Sequence, residues 1–169
     1  MFHWPADRIP VRFYAQPSGN LPYLTERASG VWASMFLYDE FAGQLVSDSA
    51  AADVIVLADS APDVLPDTGP PVFACTGVTL YPPVDSTNRL TGRLHVQLTV
   101  LSGYTAAQVA ACLRRTTIHE IGHALGLLQH SPNAGDIMHG PPVVDLPSEQ
   151  DRRTVERLYH TPATVLPPS

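Results

Sequence analysis

At 169 residues the chain is long enough to bury one core of ordinary size and too short for two typical domains. A composition of 44% hydrophobic and 15% charged residues describes a folded chain, and a net charge of −6 without any Lys/Arg cluster argues against nucleic acid as a partner. No apolar run approaches the roughly 18 residues of a membrane span, and Met1–Pro5 lacks the basic start and long apolar centre of a signal peptide.

Residues 9–14 alternate as a first strand, with Pro10 confining that end to an edge or entry point. After a turn cluster at 16–20, Ala28, Val31, Trp32, Met35 and Phe36 recur at helical spacing and predict a helix over about 23–38 whose stripe packs on a sheet, with Trp32 as core. A short strand is expected near 44–47. Residues 53–58 form a continuous apolar run of the kind buried on both faces of a parallel sheet, and belong at its centre. Four prolines and a glycine in 59–71 predict a loop, and 72–80 and 93–100 read as two further strands separated by a polar, turn-rich segment. His95 falls at a polar position of its strand and reads as structural or solvated. Cys75 and Cys112 form either one disulfide or two buried small apolar residues.

Thr105 and Gln108 have the spacing of a capping box, and Val109, Cys112, Leu113, Ile118, Ile121 and Leu125 continue a helix from about 106 to 126. The chain is then loop-rich through Pro147, until Ser148–Asp151 opens a last helix ending near Tyr159. Residues 161–169 read as a Pro-rich, linker-like tail. His3 and His160, near the ends, are expected to be exposed. The sum is one domain over about 1–160, with an N-terminal lobe to about 126 and a C-terminal lobe over about 127–160.

The chemistry concentrates where the long helix reads His119-Glu120-Ile121-Gly122-His123. Residues four apart on a helix stand about 40° apart in azimuth and roughly 6 Å apart along the axis, so two imidazoles can bite one ion. Glu120 projects to the flank of that face, the position of a general base rather than of a ligand. A catalytic zinc site takes three protein ligands and keeps one position open, so the chain has to supply another. Gly126 can end the helix in the left-handed conformation; His130 follows four residues later and Met138 eight beyond that.

This pattern of HExxH, a following glycine, a third histidine and a downstream methionine resembles the metzincin clan of zinc peptidases, and within it the matrixins. The usual matrixin spacing would put the third ligand at position 129, which is Gln129 here. His130 is assigned instead, because an amide is a poor zinc ligand, the glycine-initiated loop can absorb one residue, and the interval to Met138 fits the family's Met-turn. The resemblance implies an α/β (α+β) fold: a twisted, mixed five-stranded sheet with a backing helix and an active-site helix, above a small irregular C-terminal lobe with a Met-turn and a final helix. It implies a zinc endopeptidase with His119, His123 and His130 as ligands, Glu120 as general base, and Gly126 and Met138 in support.

By the order of elements, the strand over 72–80 corresponds to the edge strand on which metzincin substrates lie, so the resemblance implies that an extended protein or peptide substrate pairs with it. Residues 139–144 would line the pocket for the side chain after the scissile bond. The astacin-like tyrosine after the Met-His pair is absent, since Gly140 stands there, and Cys75 is not given the role of a latency cysteine. The loop that gives vertebrate matrixins further zinc and calcium has no counterpart, so one catalytic zinc ion is implied and structural calcium is unsupported. Secretion is implied, with any signal removed beforehand or outside this sequence, and a monomer is favoured. Two rival readings stand: a gluzincin-like peptidase with Glu149 or Glu156 as third ligand, and a catalytically silent, zinc-stabilised peptide-binding module.

Overall fold

The computed structural model describes residues 1–60 and 73–168. Five strands, β1 (Val11–Ala15), β2 (Gly43–Leu45), β3 (Val54–Ser60), β4 (Cys75–Leu80) and β5 (Leu94–Val100), form one sheet in the order β2-β1-β3-β5-β4. All neighbours are parallel except β4, which runs antiparallel to β5 and closes the sheet as an edge. The run 53–58 lies at the centre as its composition implies, with Val54 and Val56 fully buried. Asp59 and Ser60, expected in a loop, extend β3 and pair with Thr99 and Val100. The remainder of that expected loop lies outside the described residues, as does the start of the strand predicted from residue 72.

Two helices, α1 (Leu21–Ala33) and α2 (Ala106–Ala124), pack together on the sheet. Trp32 joins them: fully buried on α1, it donates its indole N–H to the Ile118 carbonyl of α2 at 2.7 Å. The α1 helix stops five residues before the predicted end at Tyr38. Past Ala33 the chain unwinds and buries Phe36 and Phe41, both of which meet Tyr159 edge-on. That aromatic cluster wins over the helical spacing of Met35 and Phe36.

The edge strand and α2 run side by side with matched steps. Two residues of strand advance about 6.8 Å and four residues of helix about 6 Å, so every second residue of β4 meets every fourth of α2. Cys75 is disulfide-bonded to Cys112 with their Cα atoms 5.9 Å apart, Gly77 packs against Thr116 and Glu120, and Thr79 reaches Glu120. Of the two readings left open for the cysteines, the disulfide is the one found. Their separation of 37 residues makes the crosslink worth about 4 kcal/mol in chain-entropy terms.

Helix α3 (Glu149–Tyr159) opens on a capping box between Ser148 and Asp151. The tail expected as a linker is docked. Thr164 and Val165 donate their N–H groups to the Met1 carbonyl, Leu166 exchanges backbone bonds with Asn88 and Leu90, and Arg8 and Arg89 bind the Pro168 and Pro167 carbonyls. His3 is likewise buried rather than exposed, with Nε2 2.8 Å from the Thr161 carbonyl oxygen, because the N-terminal segment is sandwiched beneath this tail. His160 is exposed as expected and faces Glu40.

One buried charge fixes the entry to the sheet. Asp53 is 3% exposed and accepts from the Arg12 backbone N–H, from the Arg12 guanidinium twice and from Arg8, at 2.8–3.0 Å. Burial opposes ionisation of this carboxyl, yet the hydrogen bonds from Arg12 and Arg8 outweigh it and hold its pKa below the usual aspartate value. The contribution of Asp53 is therefore complete above a pH of about 3.9 and is lost as pH falls through the lower folded value. Asp53→Asn is expected to cost about 2–4 kcal/mol at pH 7, a deficit that narrows below pH about 4; urea unfolding at both pH values measures it.

Candidate metal centre

Helix α2 places the first two histidines, and its end is held from three sides. Tyr81 donates to the His123 carbonyl at 2.5 Å and Trp4 to the Ala124 carbonyl at 2.9 Å. Gly126, with φ +111°, then closes a Schellman turn: its N–H bonds the His123 carbonyl and the Leu127 N–H bonds that of Gly122. A side chain at Gly126 would overlap the Phe2 carbonyl oxygen, so glycine is needed there for both dihedral and space.

This turn brings His130 back over the helix. The Nε2 atoms of His119, His123 and His130 form a triangle with edges of 3.0, 3.2 and 3.3 Å. Tetrahedral zinc with Zn–N of about 2.0–2.1 Å needs ligand nitrogens about 3.3 Å apart, and the triangle fits that requirement. The outer nitrogens settle which atoms face inward. His119 Nδ1 lies 2.7 Å from the Ile137 carbonyl and His123 Nδ1 2.5 Å from that of Leu127; an N–H must sit there, which leaves the Nε2 lone pairs converging. Burial lowers the pKa of both rings, to about 4 for His119, so both are neutral at pH 7, the form that can offer a lone pair to a metal. A metal ion at that point could be held by these two lone pairs together with Nε2 of His130.

The model of the matrixin peptidase family matches residues 3–160. The chain belongs to the matrixin family. No curated protein matches it. Matrixins are zinc-dependent endopeptidases and usually extracellular, and among the described residues no helix is long and apolar enough to cross a membrane.

In this matrixin the extra residue before the third histidine is taken up by the loop, with Gln129 exposed and outside the triangle. Glu149 and Glu156 are engaged by Arg152, and Glu149 also by Arg153, on α3; neither joins the cluster. His95 is exposed on β5. Met138 is buried, its sulfur packed against Gly122 on the helix turn between the first two histidines. Glu120 is 3% exposed and flanks the triangle; Thr79 donates to its Oε2 at 2.7 Å. Burial raises the Glu120 carboxyl to about 7 against the lowering pull of that hydroxyl. A cleft of about 250 Å³ opens here between β4 and the histidines, lined by Gly77, Val78, Thr79, Tyr81, Glu120, His123, Leu128 and His130. A larger cavity of about 450 Å³, between α1 and the start of α2, holds none of these groups.

Several supporting residues escaped the sequence reading. Asp151, buried on α3, accepts from the backbone N–H groups of Ile137 at 2.8 Å and Met138 at 3.3 Å while also completing its own helix cap. Asp136 binds the hydroxyls of Ser131 and Ser148, and the Ser131 N–H bonds the Met138 carbonyl, so the strand leaving His130 is zipped to the turn that carries Met138. Gly140 packs flat against His130: a Cβ there would stand 2.9–3.0 Å from three atoms of the ring. The only local signal for Asp151 and Ser148 was their place at the start of the last helix, already explained as a cap. Gly140→Ala is expected to displace the His130 ring and weaken zinc binding about 10- to 100-fold with the fold intact, as read by chelator competition and circular dichroism.

Proposed function

We propose that this matrixin is a zinc-dependent endopeptidase in which His119, His123 and His130 hold the ion and Glu120 is the general base. The convergence of three Nε2 atoms beside a buried glutamate that lines the cleft is the observation that carries the reading. When bound, zinc supplies Lewis acidity, activating water and polarising the scissile carbonyl. The chain's own groups do the rest. Backbone carbonyls at Ile137 and Leu127 orient the ligand rings, Gly126 turns the chain toward His130, and Met138 packs against Gly122 between the first two histidines. Glu120 takes a proton from the attacking water and delivers it to the departing amine.

Substrate lies extended along β4. As the last strand of the sheet, β4 has one edge without a strand partner among the described residues, and an incoming peptide pairs with it as a further strand irrespective of sequence. Residues 139–144 border the pocket for the side chain after the scissile bond. The catalytic unit is a single domain whose body spans 1–160 and against which the tail over 161–168 docks, monomeric, with one zinc ion. Secretion accords with the Cys75–Cys112 disulfide, a bond that persists in oxidising compartments.

Incubation of a diverse peptide library with zinc-loaded wild type and Glu120→Ala, read by mass spectrometry, should show cuts by wild type alone. No cuts from either, with zinc bound one per chain, would replace the peptidase by a zinc-stabilised binding module. The ligand set is checked separately: His130→Ala should lower zinc affinity by more than about 100-fold, whereas Glu149→Ala should leave it unchanged.

A further inference from the structure

The Glu120 side chain rests on β4 along most of its length. Gly77 has no Cβ, and one placed there would stand 2.6 Å from both Cγ and Oε1 of Glu120, so the carboxylate occupies the room that a side chain would take. Two residues on, Thr79 Oγ1 lies 2.7 Å from Glu120 Oε2 and 3.0 Å from the Glu120 carbonyl oxygen. A hydroxyl has one proton to give, and a carboxylate oxygen is the stronger acceptor of the two. No hydrogen bond among the described residues reaches Oε1.

We propose that Thr79 is a positioning residue for catalysis: its hydroxyl, fixed by the β4 backbone, clamps Oε2 and turns Oε1 of Glu120 into the cleft as the oxygen that exchanges the proton. The inference rests on the reading of Glu120 as general base. Glutamate has three rotatable side-chain bonds, and base catalysis needs its oxygen within about 3 Å of the proton it takes. Gly77 supplies the space, Thr79 the one directional contact, and the Cys75–Cys112 crosslink four residues up the strand keeps both at the same height as Glu120. The clamp belongs to the strand on which substrate lies, so one rigid element sets both the peptide and the base that acts on it.

Thr79→Val keeps the β-branched shape of the strand residue and removes only the hydroxyl; Thr79→Ser keeps the hydroxyl and removes a methyl. Zinc-loaded Thr79→Val should lose about 10- to 100-fold in kcat with KM and zinc content unchanged, while Thr79→Ser stays within about threefold of wild type. A second readout is independent of activity: crystal structures of the zinc-free proteins should show the Glu120 carboxylate on β4 in wild type and Thr79→Ser, and displaced in Thr79→Val. If Thr79→Val does not fold, Thr79→Ala takes its place. Full kcat in the hydroxyl-free variant, an unmoved carboxylate, a loss confined to KM, or an equal loss in Thr79→Ser would each overturn the proposal. Glu120→Ala, assayed alongside, separates the two levels: if it cuts as wild type does, the general-base reading falls with the clamp, whereas an inactive Glu120→Ala beside a fully active Thr79→Val removes the clamp alone.

Discussion

The site depends on the register between the edge strand and the long helix. Strand and helix rises are nearly commensurate at two residues against four, and the chain uses the coincidence over three successive steps: a covalent tie at Cys75–Cys112, a close approach at Gly77 against Thr116, and a hydrogen bond from Thr79 to Glu120. Tyr81 adds a fourth contact at the His123 carbonyl. A slip of one residue in the strand would turn the inner residues outward and set all four contacts wrong at once. The disulfide, about two helical turns before His119 on α2, thus fixes the height at which Glu120 stands relative to the cleft.

The third histidine obeys a different constraint. It lies outside α2, on an exposed loop, and is held by turns instead of by helix packing. Asp151 anchors the backbone at Ile137 and Met138, and Ile137 in turn orients His119 through its carbonyl. Asp136 draws in the two serines that flank this turn. Two buried carboxyl groups, each engaged by several donors, therefore hold the floor beneath the three rings.

Much of this was legible in the sequence because the signals are local. The capping box at Thr105 and Gln108, the apolar run at 53–58 and the stripe through Trp32 each specify an element from a few adjacent residues, and the histidine spacing specifies a face of one helix. What stayed hidden is pairing between distant parts of the chain. Cys75 and Cys112 carry no mark of their partnership, Thr79 reads as one more β-branched strand residue, and Asp151 is fully accounted for as a helix cap before its second set of partners is seen. The docked tail and buried His3 fall in the same class: their prolines and polar residues look solvated until the N-terminal segment covers them. The end of α1 was misplaced for the converse reason, since the aromatic contacts with Tyr159 that unwind it come from the far end of the domain.

The docked tail also orders events in time. Met1 and Thr164 are hydrogen-bonded across 163 residues, and the Phe2 carbonyl that these pairings hold in place lies directly against Gly126, where the helix turns toward His130. Loops of that span close late, because their entropy must be lost before any contact rewards it. A chain still emerging during synthesis can fold its sheet and both long helices while the turn beneath the histidines waits for residues near 165. The turn that carries His130 over the helix is by this topology among the last features the domain completes, set by arrival of a segment far from it in sequence.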